Sequence, residues 1–146
     1  MKNQILVFAL LFLGMNSVFA HEEGGMPHHA SPPGARVFII EPADGATVHN
    51  PVKVKFGLEG MMIAPAGPTG GENTGHHHLL IDLEALPPLD RPLPSSEQIR
   101  HFGQGETEAS LTLTPGWHYF RLLLADGNHI PHNPPVMSDV VHINVQ

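Results

Sequence analysis

Apolar residues in this chain gather into six short runs rich in β-branched, aromatic or leucine residues, at positions 36–40, 52–58, 76–83, 107–113, 117–125 and 136–145. In Val52-Lys53-Val54-Lys55-Phe56 and Leu111-Thr112-Leu113 apolar and polar residues alternate with period two, which puts neighbouring side chains on opposite faces of a strand. Turn chemistry separates the runs, at Ala43-Asp44-Gly45-Ala46, Thr114-Pro115-Gly116 and Asp126-Gly127-Asn128. No stretch holds a capped helical period over three turns. Ser95-Ser96-Glu97-Gln98 ahead of Ile99 has the character of a helix start, so a short helical turn is expected over 95–100. The pattern predicts an all-β, immunoglobulin-like β-sandwich over residues 35–146, with strands lettered A, B, C, E, F and G. Its B–C and C–E connections are long, and loops of that length often carry function. Phe56, Leu79, Ile81, Leu111, Leu113, Leu122 and Leu124 are the expected core.

The first twenty residues follow another pattern. Lys2 gives a positive start, residues 5–13 an apolar stretch too short to span a bilayer comfortably, and Val18-Phe19-Ala20 a small-residue cleavage site, so 1–20 reads as a signal peptide. Residues 21–34, rich in Gly, Pro, His and Glu, are expected as a flexible tail. The expected location is periplasmic or secreted, with no membrane insertion after cleavage.

Charge and cysteine content narrow the function. The net charge of −7 becomes −8 without the leader, which suits neither nucleic acid nor an anionic lipid surface. The absence of cysteine removes disulfides, Cys-type zinc sites and blue-copper centres.

Twelve histidines remain, crowded at His28-His29, His76-His77-His78 and His129 with His132. Neutral imidazole is the commonest transition-metal ligand among side chains. If successive strands run up and down, the B–C and F–G loops share one end of the sandwich. That end would collect Met61, Met62, His76, His78, His101, His129 and His132, while His49 and His118 fall at the far end. Period two puts His76 and His78 on one strand face and His77 on the other. The expected metal ligands are therefore His76, His78, His101, His129 and His132, with His21, His77, Met61 and Met62 as weaker candidates. His77 is better read as packed or backbone-bonded, and His49, His118 and His142 as structural or solvated. An amino-terminal His21 released by cleavage would chelate through its α-amino group and ring together.

The runs Asn73-Thr-Gly-His-His-His-Leu-Leu-Ile-Asp82, His101-Phe-Gly103 and Leu124-Ala-Asp-Gly-Asn-His-Ile-Pro-His-Asn-Pro-Pro-Val136 resemble a family of small exported bacterial proteins, domain of unknown function 4399. The resemblance implies an immunoglobulin-like sandwich and export, assigns no activity, and marks His76, His77, His78, His101, Asp126, His129 and His132 as matching the family pattern.

The leading expectation is an exported metal-binding protein for copper, with zinc as the alternative ion, acting in sequestration, delivery or tolerance, with another exported protein as a further partner. A second is a metal-dependent enzyme using an open position on the same ion, with Asp82, Asp126 or Glu106 as base. A third is an interaction module whose histidines hydrogen-bond to organise two long loops. No H-E-x-x-H, G-x-S-x-G or phosphate-loop pattern supports other chemistry.

Overall fold

The computed structural model describes residues 26–146, so the expected signal peptide and His21 lie outside the described residues. Nine strands form two sheets, with no helix among the described residues: β1 (Arg36–Glu41), β2 (Ala46–Val48), β3 (Val52–Glu59), β4 (Met62–Ile63), β5 (Thr74–Ile81), β6 (Ile99–His101), β7 (Glu108–Leu111), β8 (Gly116–Ala125) and β9 (Val141–Val145). The smaller sheet has the order β1-β3-β7, and the larger β2-β9-β8-β5-β4 with β6 also paired to β5.

The period-two segments bury one face each. Val52, Val54 and Phe56 of β3 point inward while Lys53 is exposed, and they meet Val37, Leu111, Leu79, Ile81, Phe120, Leu122, Leu124, Ile143 and Val145 in one core between the sheets. Of the seven expected core residues, six are buried and Leu113 is partly buried against them. Leu122 is fully buried, so Leu122→Ala should destabilise the fold by about 2–5 kcal/mol. A urea unfolding midpoint equal to that of the parent would contradict this packing.

β5 is buried on both faces, which explains its continuous apolar and histidine run. Its inner residues Leu79 and Ile81 join the main core. Its outer residue Leu80 packs with Leu93, Ile99, Leu123 and Ala125 under the 82–98 connection, forming a second, smaller core. The helical turn expected over 95–100 is instead a turn leading into β6. Ile99 fills the small core, and the Ser96 hydroxyl and carbonyl both accept from the Ile99 N–H, at 3.1 and 3.3 Å, rather than capping a helix.

Three further differences have local causes. β9 begins at Val141, not 136, because residues 131–138 instead run beside β8: Leu124 N–H donates to Val136 O (2.9 Å), Ser138 N–H to Leu122 O (2.9 Å), and the Ser138 hydroxyl accepts from Leu122 N–H (2.8 Å). β2, with only Ala46 expected in a turn, adds in parallel to β9 with Ala46 opposite Ile143. Residues 28–33, expected in a flexible tail, lie against 131–134. His29 O accepts from Asn133 N–H at 3.0 Å, Ser31 N–H donates to Asn133 O at 3.2 Å, and the Ser31 hydroxyl donates to Pro134 O at 2.7 Å.

Candidate metal centre

His76 and His78 leave β5 on its outer face, and register brings partners to them. β6 pairs antiparallel with β5 so that His101 stands directly opposite His78, and residues opposite one another in a ladder share a face. The fourth ring comes from the turn after β8. There Asp126 Oδ1 accepts from Asn128 N–H (2.8 Å) and Ile130 N–H (2.9 Å), while Asp126 O accepts from His129 N–H (2.9 Å). This holds His129 at φ 65°, a left-handed conformation that histidine enters more readily than most residues.

The result is a group of four imidazoles, His76, His78, His101 and His129, each offering one ring nitrogen within 4.8 Å of the others. Nε2 of His76 is central: it lies 3.1 Å from Nδ1 of His129 and 3.1 Å from Nε2 of His101. Four nitrogens bound tetrahedrally at about 2.0–2.1 Å stand about 3.3 Å apart, close to these spacings. A single imidazole nitrogen holds either one proton or one lone pair, so it cannot complete two such contacts as full hydrogen bonds. Convergence of three nitrogens is thus better matched to a shared cation than to a hydrogen-bonded chain.

Burial is graded across the group. His76 and His78 are buried, His129 is half-buried and His101 is exposed, so the group opens to solvent at β6. Burial, reinforced by the His101 and His129 rings, pushes His76 down to about 4. Burial with the neighbouring His76, His101 and His129 rings pushes His78 down to about 3. His101 is also lowered, by burial and then by His129. At neutral pH, His76 and His78 therefore present uncharged imidazole, the form that coordinates a cation.

The other candidates are not in this group. His132 is buried elsewhere, its Nε2 donating to Thr74 O at 3.1 Å. A Cβ on Gly75 would come 3.0 Å from Leu124 and 3.1 Å from the His132 ring, and Gly75 alternates with His76, so His132 lies on the strand's opposite side. Placing His132 with the ligands is thereby corrected, because the sheet intervenes. His77 points inward as period two requires, against Phe56 at 5.1 Å between ring centroids, and its Nδ1 donates to Glu106 O at 3.3 Å. Met61 packs on the main core, and Met62 is exposed on β4. Among the described residues, His77 is not part of the group of rings gathered around His76.

The three carboxylates considered as bases are engaged. Asp126, already holding two turn amides, also accepts from His29 Nδ1 through Oδ2 at 2.9 Å. Glu106 accepts from Gln104 N–H at 2.9 Å. Asp82 accepts from Tyr119 N–H (2.9 Å) and from His118 Nδ1 (2.6 Å). His118 donates its other ring nitrogen to Thr114 O at 2.8 Å. Burial opposes the charged ring, but these hydrogen bonds to Asp82 and Thr114 outweigh it and raise its pKa. His49, at the same end as expected, bonds to Gln146 O (3.1 Å).

Of the residues expected together at one end of the sandwich, the structure brings together His76, His78, His101 and His129, on the strand face that His76 and His78 share, near the point where His76 pairs with Ala125.

The chain belongs to the family described as Domain of unknown function (DUF4399), whose model matches residues 54–146 and so includes all four clustered histidines. No curated protein and no solved structure matches significantly.

Proposed function

We propose that this family member is an exported protein that binds a transition-metal ion, copper in the first instance, through His76, His78, His101 and His129, and serves in sequestration, delivery or tolerance. The observation that carries the reading is the convergence of ring nitrogens on His76 Nε2 at 3.1 Å from two sides. Two buried histidines with lowered pKa keep half the donor set neutral at physiological pH. An all-imidazole set suits Cu(II) and Zn(II), and zinc is the competing ion. The tetrahedral count of four and the engagement of Asp82, Asp126 and Glu106 favour binding over catalysis. Export rests on the pattern of residues 1–20. Among the described residues no helix is long and apolar enough to cross a membrane.

We assign the fold to the immunoglobulin-like sandwiches. The support is the strand order: β1-β3-β7 corresponds to A-B-E and β9-β8-β5 to G-F-C, with β2 as an added strand parallel to the last one.

Elemental analysis of untagged protein from the exported fraction, followed by titration calorimetry with Cu(II) and Zn(II), tests the metal reading. One strong site per chain is expected, and it should persist when His21, His28 and His29 are all replaced by alanine. Saturation at a hundred times the dissociation constant should stabilise the fold by about 2.7 kcal/mol. Loss of all binding in the triple variant would assign the metal to simple chelation near the amino terminus.

A further inference from the structure

Two of the four rings stand on loops. His101 ends the three-residue edge strand β6 and leads directly into Phe102 and Gly103, while His129 occupies the turn after β8. Residues 64–67, in the connection between β4 and β5, run between these loops and bond to both. Ala66 N–H donates to Gly103 O at 2.8 Å, and Gly67 N–H donates to Gly127 O at 2.8 Å. Each acceptor lies two residues from a clustered histidine. The same segment is anchored beside a third, because Ala64 N–H donates to Gly75 O at 2.9 Å, next to His76.

Neither acceptor glycine leaves space for a side chain: at Gly127 the obstacle is the segment, and at Gly103 it is the His101 ring. A Cβ on Gly127 would stand 2.2 Å from the Gly67 carbonyl oxygen, a backbone atom that can retreat only by moving the segment. A Cβ on Gly103 would stand 2.3 Å from Cε1 and 2.5 Å from Nε2 of the His101 ring itself. Neither glycine has a positive φ, so alanine is compatible with its backbone and strained only through these contacts. Gly67, by contrast, takes φ 107°, a conformation that favours glycine and lets the segment bend between its two partners.

We propose that residues 64–67 form a clasp that holds His101 and His129 at ligating distance from His76, with Gly103 and Gly127 as positioning residues for the metal. The proposal rests on the metal reading of the four-histidine group. It accounts for the length of the connection between β4 and β5: the segment must reach from the edge of the larger sheet to two separate loops. It also gives the site a means of preorganisation, since ligands held apart by strand and loop are brought to one point before an ion arrives.

The test uses the full exported chain and the variants Gly103→Ala and Gly127→Ala, with Gly71→Ala as control, since a Cβ at Gly71 meets nothing within 4 Å. Three readouts are taken: Cu(II) and Zn(II) affinity by calorimetry, the nitrogen hyperfine pattern of the Cu(II) form by electron paramagnetic resonance, and the thermal midpoint of the metal-free protein. Both positioning variants should bind at least about tenfold more weakly, a typical loss for supporting groups around a metal. Gly103→Ala should also show fewer coordinated nitrogens, with a metal-free midpoint close to that of the parent. Gly71→Ala should bind like the parent. Parental affinity and spectrum in Gly103→Ala would overturn the positioning of His101 even if Gly127→Ala fails to fold, because the His101 ring can swing aside without unfolding the sheet. Parental affinity in a folded Gly127→Ala, which displaces the segment itself, would overturn the clasp. Absence of binding by the parent chain would instead overturn the metal reading on which the clasp depends.

Discussion

His76→Ala should lower the proposed metal affinity by at least about a hundredfold, beyond the tenfold to hundredfold range usual for residues that merely support ligands. His76 is singled out by position: its Nε2 is the atom from which both His101 and His129 are 3.1 Å distant, so its removal takes away a donor and the point on which those two rings converge. The ring is fully buried, and alanine there also leaves a cavity, so folding is checked separately by circular dichroism and by the unfolding midpoint of the metal-free form. The paired control is His132→Ala. That ring is equally buried, yet its nitrogen bonds the Thr74 carbonyl, so the variant should lose stability while keeping affinity. Equal losses of affinity in the two variants would mean that general loosening of the domain, rather than the four-histidine set, controls binding.

The metal-free protein should lose stability as pH falls from about 6.5 towards 4. In the folded state His76 is held at about 4 and His78 at about 3 by burial and by the rings around them. In the unfolded chain both return to about 6.5. Between these values the unfolded chain binds more protons than the folded one, so stability rises with pH across that window and is fully present above about 6.5. Each unit of depression corresponds to about 1.4 kcal/mol, so the two rings together remove a few kcal/mol on acidification, a large part of an ordinary domain's total of about 5–15 kcal/mol. His118 works in the opposite direction: its pKa is raised, so its contribution is present below about 6.5 and fades as pH climbs through its folded value. Urea midpoints at pH 7.5, 5.5 and 4.5 read the balance. His78→Leu should flatten the acidic decline, since it removes the more depressed ring without leaving a polar atom in its place. A midpoint unchanged from pH 7.5 to 4.5 in the parent would show that the buried rings are not held neutral by the fold.

The reach of local pattern can be seen strand by strand. Period two in 52–56 and the leucine-rich run of 117–125 were sufficient to place β3 and β8 and to choose which residues enter the core, because burying one face of a pleated strand imposes that alternation. The same rule separated His76 and His78 from His77. Residues 99 and 100 read as the end of a helical turn, because nothing local shows that Ile99 has a second core to fill beneath the 82–98 connection. β2 and β4 are three and two residues long and pair in parallel with distant partners, so they leave no periodic trace.

By itself the sequence determined an all-β chain, its main core, an acidic surface without thiols, and a supply of imidazoles on one strand and one turn. Tertiary structure alone decided which imidazoles meet. His101 joins because antiparallel register sets it opposite His78. His129 joins because Asp126 folds its turn back over the outer face. His132, three residues further on, is excluded because it lies beyond the strand that carries the others. Spacing along a chain constrains neighbours within one element, whereas a shared ion depends on separations across a sheet and between loops, set by pairing register and by hydrogen bonds between distant segments.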